Sequence, residues 1–361
     1  MKVLSTGDYV GNMTNSIAQF ELLIGLKKKG IDVIVVAYFT EEILKKFKDA
    51  DIECIQDFPK SKVDFDYIKN MKSYVEKYNI DIIHAFHGKA LRNTIVAIKD
   101  LPVKLITYMG STSIHWHDPS AYFTYLSPRV DKIICNSDFV YKHVKNQLIG
   151  KRKNKAIRIY KGYNPDWFAE LPVFDMTSLG IQKETTVVCL AANYLKVKGI
   201  EYYIKATYHI DPNANVQFLL LGDMRGNKDI PQLIEKSPLK KKIHALGSRS
   251  DAVSLFKGAD IYVQTSLKEG FGRAISEAMC AKLPVVMTNA GGCTELIDSE
   301  SGIVVEKKNP KAIAQGIMKL VNNKYLRVQM GQNAYKRIEN VYPISKTIDE
   351  TLALYHSILE S

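Results

Sequence analysis

The chain has 361 residues, of which 46% are hydrophobic and 24% are charged, and this composition is that of an ordinary soluble globular protein. A chain of this length exceeds one compact core, so we expect two domains. The net charge of +12 is uneven, because residues 1–165 carry 26 Lys and Arg against 17 Asp and Glu, whereas residues 166–361 carry 24 against 21. The basic first half indicates an anionic partner (a phosphate-bearing substrate, an anionic lipid surface or nucleic acid), or else only a lysine-rich composition that favours solubility.

Cysteine usage and the apolar runs indicate a cytoplasmic protein. The five cysteines are scattered without a C-x-x-C pair, so we expect reduced thiols rather than disulfides or a zinc site. No run of about 18 apolar residues occurs, so no transmembrane helix is expected. Residues 1–4 lead directly into a strand, which is unlike a signal peptide.

The first half of the chain is predicted to alternate strands and helices. Residues 3–5 form a short strand with the loop 7–12 after it, and the next helix has apolar residues at helical spacing and stops at Gly30. The β-branched run 31–37 indicates a strand that is buried on both faces of a parallel sheet. Further strands are predicted at residues 80–85, 103–108, 132–136 and 157–160. This alternation predicts a doubly wound α/β domain.

The same pattern restarts in the second half. Strands are predicted at residues 185–191, 216–222, 243–246 and 261–264, with helices between them. The break between the two alternations falls near residues 162–185, where Asn, Pro and Gly cluster, so we predict domains at 1–165 and 166–343. A separate last helix follows Pro343, and we expect residues 344–361 to pack back on the first domain.

The stretch 266–297 holds the most informative pattern. A Gly-bracketed loop that begins at Glu269 leads into a helix, and Pro284 ends that helix and opens a short buried strand. Backbone amides at a helix start attract phosphate or sugar oxygens. The carboxylates of Glu269 and Glu277 are eight residues apart and can bind the hydroxyls of a sugar nucleotide. The alternative is an ordinary strand-loop-helix with a solvated Glu at each end.

Three cations at predicted strand ends suit a diphosphate that is not bound through a metal ion. They are Lys196, Lys198 and Arg225, and Gly199 opens a helix beside them. Ligands of parallel α/β sheets bind beyond the carboxyl ends of the strands, so two such domains predict a cleft lined by loops from both. Taken singly, each of these cations can also be a solvated surface residue.

The histidines near predicted strand ends have two interpretations. His84 and His87 follow an apolar strand, and His115 and His117 flank Trp116 in a polar loop. A His-x-His pair can bind metal, but no third ligand occurs at a suitable spacing, so we expect no metal site. Polar contacts in the cleft, without a role in proton transfer, are the simpler interpretation.

The segment 266–297 resembles the signature of glycosyltransferase family 4, whose members are retaining GT-B enzymes. The Glu-x7-Glu element corresponds to Glu269 and Glu277, and weaker landmarks extend the resemblance along most of the chain. The resemblance implies two facing Rossmann-like domains with a nucleotide-sugar in the C-terminal one. It implies that Glu269 holds the transferred sugar, Glu277 the ribose and Lys198 the diphosphate, and that the loop of Gly11 closes over the donor. Retention without a protein nucleophile, and without a divalent metal, is also implied.

Two departures from the family pattern concern the site. Asn193 stands where many members carry Arg, and Lys196 or Arg225 can supply that charge. Met109 stands where many members have His, and His84 or His87 is the available substitute. The candidate catalytic residues are therefore Glu269, Lys198, His84 and His87. The candidate donor-binding residues are Gly11, Asn193, Lys196, Lys198, Arg225, Gly270, Phe271, Gly272 and Glu277.

The resemblance implies a metal-independent hexosyltransferase that needs no cofactor. We expect a UDP-sugar donor, a glycan or lipid-linked acceptor in bacterial surface polysaccharide or glycolipid synthesis, and contact with the inner face of the plasma membrane. The alternative is a catalytically weak homologue that serves as the partner subunit of another glycosyltransferase. A nicotinamide oxidoreductase is excluded because the first loop has only Gly7 and Gly11 and the second strand ends without an acid. No aromatic interleaving or recognition motif supports nucleic-acid binding.

Overall fold

The structure is a computed structural model that describes residues 1–10, 13, 16–225, 227 and 229–360. The chain divides into two compact units. Unit 1 comprises Met1–Gly162 together with Ile344–Ser361, and unit 2 comprises Tyr163–Pro343. For comparison, the boundary predicted from the sequence follows residue 165.

Unit 1 is built on a seven-stranded parallel sheet. Its strands are β1 (Lys2–Tyr9), β2 (Asp32–Phe39), β3 (Glu53–Gln56), β4 (Ile82–Ala85), β5 (Lys104–Met109), β6 (Lys132–Cys135) and β7 (Ala156–Arg158). They are arranged in the order β3-β2-β1-β4-β5-β6-β7. In the centre, Val3 lies opposite Val33 on one side and Ile82 on the other. The apolar runs of the sequence are therefore the inner strands of a sheet that is covered on both faces.

The helices of unit 1 cover this sheet. Those before unit 2 are α1 (Ile17–Lys28), α2 (Glu41–Asp49), α3 (Phe65–Tyr78), α4 (Gly88–Ala97) and α5 (Asp138–Gln147). Helix α3 illustrates why they form. Asp64 Oδ1 accepts a hydrogen bond from Tyr67 N at 3.2 Å and so caps the start. Tyr67, Met71 and Val75 recur at intervals of one turn and are buried. Asn79, in the left-handed region at φ 53°, ends the helix.

Unit 2 repeats the architecture with six parallel strands. They are β8 (Thr186–Ala191), β9 (Val216–Leu221), β10 (Ile243–Gly247), β11 (Ile261–Gln264), β12 (Val285–Thr288) and β13 (Gly302–Val305), in the order β10-β9-β8-β11-β12-β13. The helices are α6 (Ile200–Ala206), α7 (Asp229–Lys236), α8 (Ala252–Gly258), α9 (Arg273–Cys280), α10 (Pro310–Val321) and α11 (Lys324–Val341). The carboxyl ends of β8, β11 and β12 therefore lie next to one another at one edge of the sheet.

The last helix, α12 (Ile344–Leu359), packs on α1 and so belongs to unit 1. Gly25 permits this close approach, because a Cβ there would lie 2.2 Å from Ile348 Cδ1. Lys29 Nζ pairs with Asp349 Oδ1 at 3.0 Å. Unit 2 begins and ends at neighbouring positions, since Tyr163 N donates to Tyr342 O at 2.9 Å. No helix in the described part of the chain is both long and apolar enough to cross a membrane.

The prediction of two Rossmann-like α/β domains is confirmed, and the differences lie at strand ends and sheet edges. β1 continues to Tyr9, so Gly7 is a strand residue and not part of a loop. The reason is that Tyr9 is buried and its ring stacks on Phe39 at 5.8 Å. Strands β3 and β13, edge strands of four residues each, were not predicted, and each offers only a short apolar run, residues 54–55 in β3 and residues 303–305 in β13.

Candidate functional site

Two loops that follow neighbouring strands of unit 2 are joined through their backbones. The loop after β11 carries Glu269, whose backbone N donates to Ala290 O at 2.8 Å in the loop after β12. In return, Gly292 N donates to Glu269 O at 3.0 Å, and Glu269 and Gly291 form an isolated parallel bridge. The backbone of Glu269 is thus fixed at the carboxyl edge of the sheet, where parallel α/β folds bind their ligands.

The side chains of Lys198 and Glu269 form an ion pair at this edge. Lys198 Nζ donates to Glu269 Oε2 at 2.7 Å, although the two residues are far apart in sequence. The side chains are 26% and 14% exposed, so water screens the pair only in part. The structure thus brings together the two residues that the resemblance assigned to the sugar and to the diphosphate.

The turn that carries Lys198 is tied to the same loop. Its last residue, Gly199, is in the left-handed region at φ 59°, and a Cβ there would lie 2.2 Å from Thr265 O. Thr265 Oγ1 donates to Gly199 O at 2.8 Å. Leu267 N donates to Val197 O at 2.7 Å. Glycine is required at this position because a side chain would displace either the turn or the loop that holds Glu269.

Glu277 lies on α9, which begins directly after the Glu269 loop. Its residue is 5% exposed, and its Oε1 lies 3.6 Å from Arg273 Nε one turn earlier. Gly270 and Gly272 flank Phe271, which is 2% exposed and packs edge-on against the ring of Tyr342 at 5.5 Å. Phe271 therefore anchors the loop in the core, and any ligand contact of Gly270, Phe271 and Gly272 is made by the backbone.

The remaining predicted donor-binding side chains of unit 2 lie in two groups. Asn193 Oδ1 accepts from Asp223 N at 2.9 Å, which joins the loops after β8 and β9. Arg225 Nη2 pairs with Asp223 Oδ2 at 2.7 Å. The hydrogen bonds that the side chain and the backbone of Arg225 donate to Asp223 lower the pKa of Asp223 to about 2. Lys196 instead lines a surface cavity of about 480 Å³ between α6 and α7, together with Lys205. Arg225 thus has an internal partner in Asp223, but its side chain is 90% exposed and its remaining N–H donors are available to a ligand.

His84 and His87 have different surroundings in unit 1. His84 is fully buried in β4, stacks on Phe86 at 4.1 Å, and its Nδ1 lies 2.7 Å from Tyr355 Oη on α12. Burial lowers the pKa of His84 to about 3 from 6.5, so its ring is neutral and holds α12 in place. His87 precedes α4 at the carboxyl edge of the sheet, and burial lowers its pKa while Asp8 partly offsets this. Of the two, His87 is the one placed where a ligand can reach it.

Predictions were also made for Gly11 and for the pair of His115 and His117. Gly11 lies outside the described residues. His115 and His117 stack at 5.3 Å. In the described ranges, no group of three or more His, Cys, Asp and Glu side chains is arranged to hold a metal ion.

The sequence interpretation missed three side chains that lead to Glu269. Tyr262, Gln264 and Ser266 are buried and hydrogen-bonded in series, and Ser266 Oγ donates to Glu269 Oε2 at 3.2 Å. The sequence does contain a signal for these three residues. Alternate positions of a strand face the same side, and polar side chains at three successive alternate positions are unusual at the end of a buried strand.

Comparison with known proteins identifies the family. A family model for glycosyl transferases group 1 matches residues 174–337, and one for Glycosyltransferase Family 4 matches residues 19–167. An uncharacterised glycosyltransferase of Methanocaldococcus jannaschii is 30% identical over 275 residues, which cover 73% of this chain and 71% of that protein. The chain belongs to glycosyltransferase family 4. The family assignment made from residues 266–297 is confirmed.

Other similar proteins extend the comparison. The capsular polysaccharide biosynthesis glycosyltransferase CapM of Staphylococcus aureus is 24% identical over 93% of this chain and 92% of its own. A UDP-Gal:alpha-D-GlcNAc-diphosphoundecaprenol alpha-1,3-galactosyltransferase of Escherichia coli is 24% identical over 80% of each chain. Anabaena HepE, crystallised in complex with UDP, superposes with a TM-score of 0.78 at 21% identity, over 99% of this chain and 100% of its own. The fold of this family 4 protein is therefore GT-B.

Proposed function

We propose that this family 4 protein transfers a hexose from a UDP-sugar to a glycan or lipid-linked acceptor, with retention of the anomeric configuration. The observation that carries the proposal is the Lys198–Glu269 pair at the carboxyl edge of the sheet in unit 2. It supplies one cation for the diphosphate and one carboxylate for sugar hydroxyls, which are the two recognition tasks that a nucleotide-sugar requires. The names of two similar proteins, one with UDP-Gal and one in complex with UDP, support UDP as the nucleotide.

Each side chain has a task in this proposal. Among the residues that the structure describes, Lys198 and Ser266 donate to Oε2 of Glu269, so Oε1 accepts from a hydroxyl of the transferred sugar. Lys198 has three N–H donors and the Glu269 bond uses one of them, so the others meet the diphosphate. Glu277 accepts from the ribose hydroxyls.

Retention in this proposal means attack by the acceptor on the face from which the diphosphate leaves, without a protein nucleophile. The C–O bond to the diphosphate breaks as the acceptor oxygen attacks the same face of the sugar, and a diphosphate oxygen takes the acceptor proton. Lys198 stabilises the charge that develops on the diphosphate, which is the role of a preorganised cation in catalysis. The α-linked product in the name of the Escherichia coli relative supports this stereochemistry. We assign no covalent role to a side chain of the protein.

The donor assignment predicts that UDP and UDP-glucose raise the melting temperature. Ligand that binds only the folded protein stabilises it, by about 2.7 kcal/mol at one hundred times its Kd. We expect the same shift in EDTA. We also expect UDP release from UDP-glucose, with water as the acceptor of the glucose, that EDTA does not abolish, because Lys198 supplies the positive charge. Differential scanning fluorimetry and a UDP-release assay provide the two measurements. Absence of any shift with UDP would contradict the donor, and an absolute requirement for a divalent ion would contradict the metal-independent reaction.

A basic surface of unit 1 supports contact with an anionic membrane near a lipid-linked acceptor. Of the eight basic residues between positions 139 and 161, Lys142, Lys151 and Lys153 are exposed, whereas Arg158 pairs with Asp138 at 3.2 Å and Lys155 Nζ donates to backbone carbonyls. Ile149, beside them, is 75% exposed. Basic side chains near an anionic bilayer contribute about 1 kcal/mol each, and an exposed aliphatic side chain adds burial in the interface. We propose that this surface binds the cytoplasmic face of the plasma membrane.

This surface predicts binding to phosphatidylglycerol vesicles at low salt. Replacing both Lys151 and Lys153 with Glu reverses two charges, and we expect most of the cosedimentation to be lost. The matched control replaces the exposed Lys241 and Lys307 of unit 2 with Glu, which gives the same net charge and should leave binding unchanged. Wild-type protein that stays in the supernatant at low salt, or equal losses in both variants, would contradict the proposal.

A further inference from the structure

A buried chain of hydrogen bonds runs along one face of β11 to the carboxylate of Glu269. Tyr262 Oη donates to Gln264 Oε1 at 2.8 Å, and Gln264 Nε2 donates to Ser266 Oγ at 2.7 Å. Ser266 Oγ in turn donates to Glu269 Oε2 at 3.2 Å. Tyr262, Gln264 and Ser266 are 0%, 3% and 0% exposed. We call these three residues the β11 relay.

The chemistry of the end groups fixes the direction of every bond in the β11 relay. An ionised carboxylate only accepts hydrogen bonds, so the single proton of Ser266 Oγ is used on Glu269. Ser266 must then accept from Gln264, which turns the amide nitrogen towards Ser266 and the amide oxygen towards Tyr262. Burial raises the pKa of Tyr262 well above its ordinary value, so the phenol remains a donor.

The β11 relay and Lys198 act on the same carboxylate oxygen in different ways. The ammonium of Lys198 is a point charge on a flexible stem, so it neutralises Oε2 without fixing the plane of the carboxylate. Ser266 is attached to the end of a strand, and Thr288 Oγ1 on β12 donates to Ser266 O at 2.5 Å. A donor on so rigid a support determines the orientation of the side chain that it binds. Burial also strengthens each bond of the β11 relay.

We propose that Gln264 and Ser266 are positioning residues, which orient the Glu269 carboxylate so that Oε1 faces the transferred sugar. This inference rests on the proposed function, because it assumes that Glu269 binds the sugar. It makes the β11 relay a determinant of sugar binding and transfer that makes no direct contact with the nucleotide. Sugar binding is separated from ribose binding because the last hydrogen bond of the β11 relay is to Glu269, the proposed sugar ligand, and not to Glu277, the proposed ribose ligand.

The test separates turnover from nucleotide binding. We expect Gln264→Leu and Ser266→Ala to lower kcat for UDP release from UDP-glucose by about tenfold to a hundredfold, because a misplaced group near the reacting centre costs this much. The Kd for UDP, measured by calorimetry, should stay within about threefold of wild type. The matched control is Ser237→Ala, because Ser237 is a buried serine of unit 2 whose hydroxyl lies 2.7 Å from Thr207 Oγ1.

A second variant reports on the donor at position 264. Gln264→Glu keeps the shape, but an ionised carboxylate cannot donate to Ser266, whereas its protonated form can. Its kcat relative to wild type should therefore fall as pH rises through the pKa of the new carboxyl. A variant that only disturbed packing would show a ratio independent of pH.

The possible outcomes separate the two proposals. Full kcat in Gln264→Leu and Ser266→Ala, with wild type active, would overturn the inference and leave the function intact. Equal losses of kcat and of UDP affinity would also overturn it, because the β11 relay would then only support the loop. A wild-type protein that neither binds UDP nor releases it from UDP-glucose would contradict the proposed function itself, and the inference with it.

Discussion

Glu269→Ala is expected to abolish sugar transfer while the protein stays folded. The substitution removes the carboxylate to which we assign sugar binding and leaves Lys198 without its 2.7 Å partner. Losing one preorganised electrostatic group typically costs about a hundredfold to a thousandfold in kcat, and here two groups are disturbed, so we expect turnover of UDP-glucose to fall by at least about a thousandfold. UDP release under saturating donor is the measurement.

Folding is checked separately, by circular dichroism and by the melting temperature. Lys198 is 26% exposed and can be rehydrated when its partner is lost, so the cost in stability is about 1 kcal/mol. The matched control is Glu300→Gln, which changes an exposed carboxylate of the same unit and should keep full turnover. Undiminished turnover in Glu269→Ala would refute the site assignment.

Gly199→Ala is expected to impair both stability and donor use. The residue has φ 59°, and the added Cβ would lie 2.2 Å from Thr265 O, a backbone atom that cannot rotate away. The left-handed conformation costs a non-glycine residue about 1–2 kcal/mol, and the forced shift of the neighbouring backbone adds about 1–3 kcal/mol. Because the turn of Lys198 and the loop of Glu269 are pushed apart, we expect kcat/KM to fall by about a hundredfold.

The chain offers a matched control for the conformational part of this effect. Gly180 has φ 74°, but a Cβ there would meet no atom within 4 Å. Gly180→Ala should therefore carry the cost of the left-handed conformation alone and keep its kcat/KM. Urea unfolding and steady-state kinetics of both variants give the comparison. Equal losses of activity in the two would show that the close approach at Gly199 does not hold the site.

Local patterns in the sequence predict most of the fold. The features that they do not predict depend on contacts between residues that are far apart in the sequence. The apolar runs identify the inner strands, because a strand buried on both faces leaves an unbroken apolar signal. The edge strands β3 and β13 are missed because each contains only two or three consecutive apolar residues. The motif 266–297 identifies the family because its signal is contiguous.

The Lys198–Glu269 ion pair and the burial of His84 could not be predicted from the sequence, for a different reason. Nothing in the spacing of Lys198 and Glu269 says that they meet, since their contact depends on which strands are neighbours. His84 precedes its partner Tyr355 by most of the chain, so the sequence alone does not show that its ring is buried. The β11 relay is predictable only in part. The alternation of its polar residues is visible in the local sequence, but its last bond, to Glu269, depends on the turn after the strand.

Because α12 belongs to unit 1, unit 2 can be exchanged as one continuous segment of sequence. Unit 1 is made of two stretches of sequence, whereas unit 2 is a single insertion whose first and last residues are neighbours. Insertions with adjacent ends can be exchanged with little disturbance of their host. A cassette bounded by Tyr163 and Pro343 can thus be replaced by that of a relative. On the donor assignment proposed above, donor choice can then diverge through recombination while the host stretches, α12 included, stay unchanged.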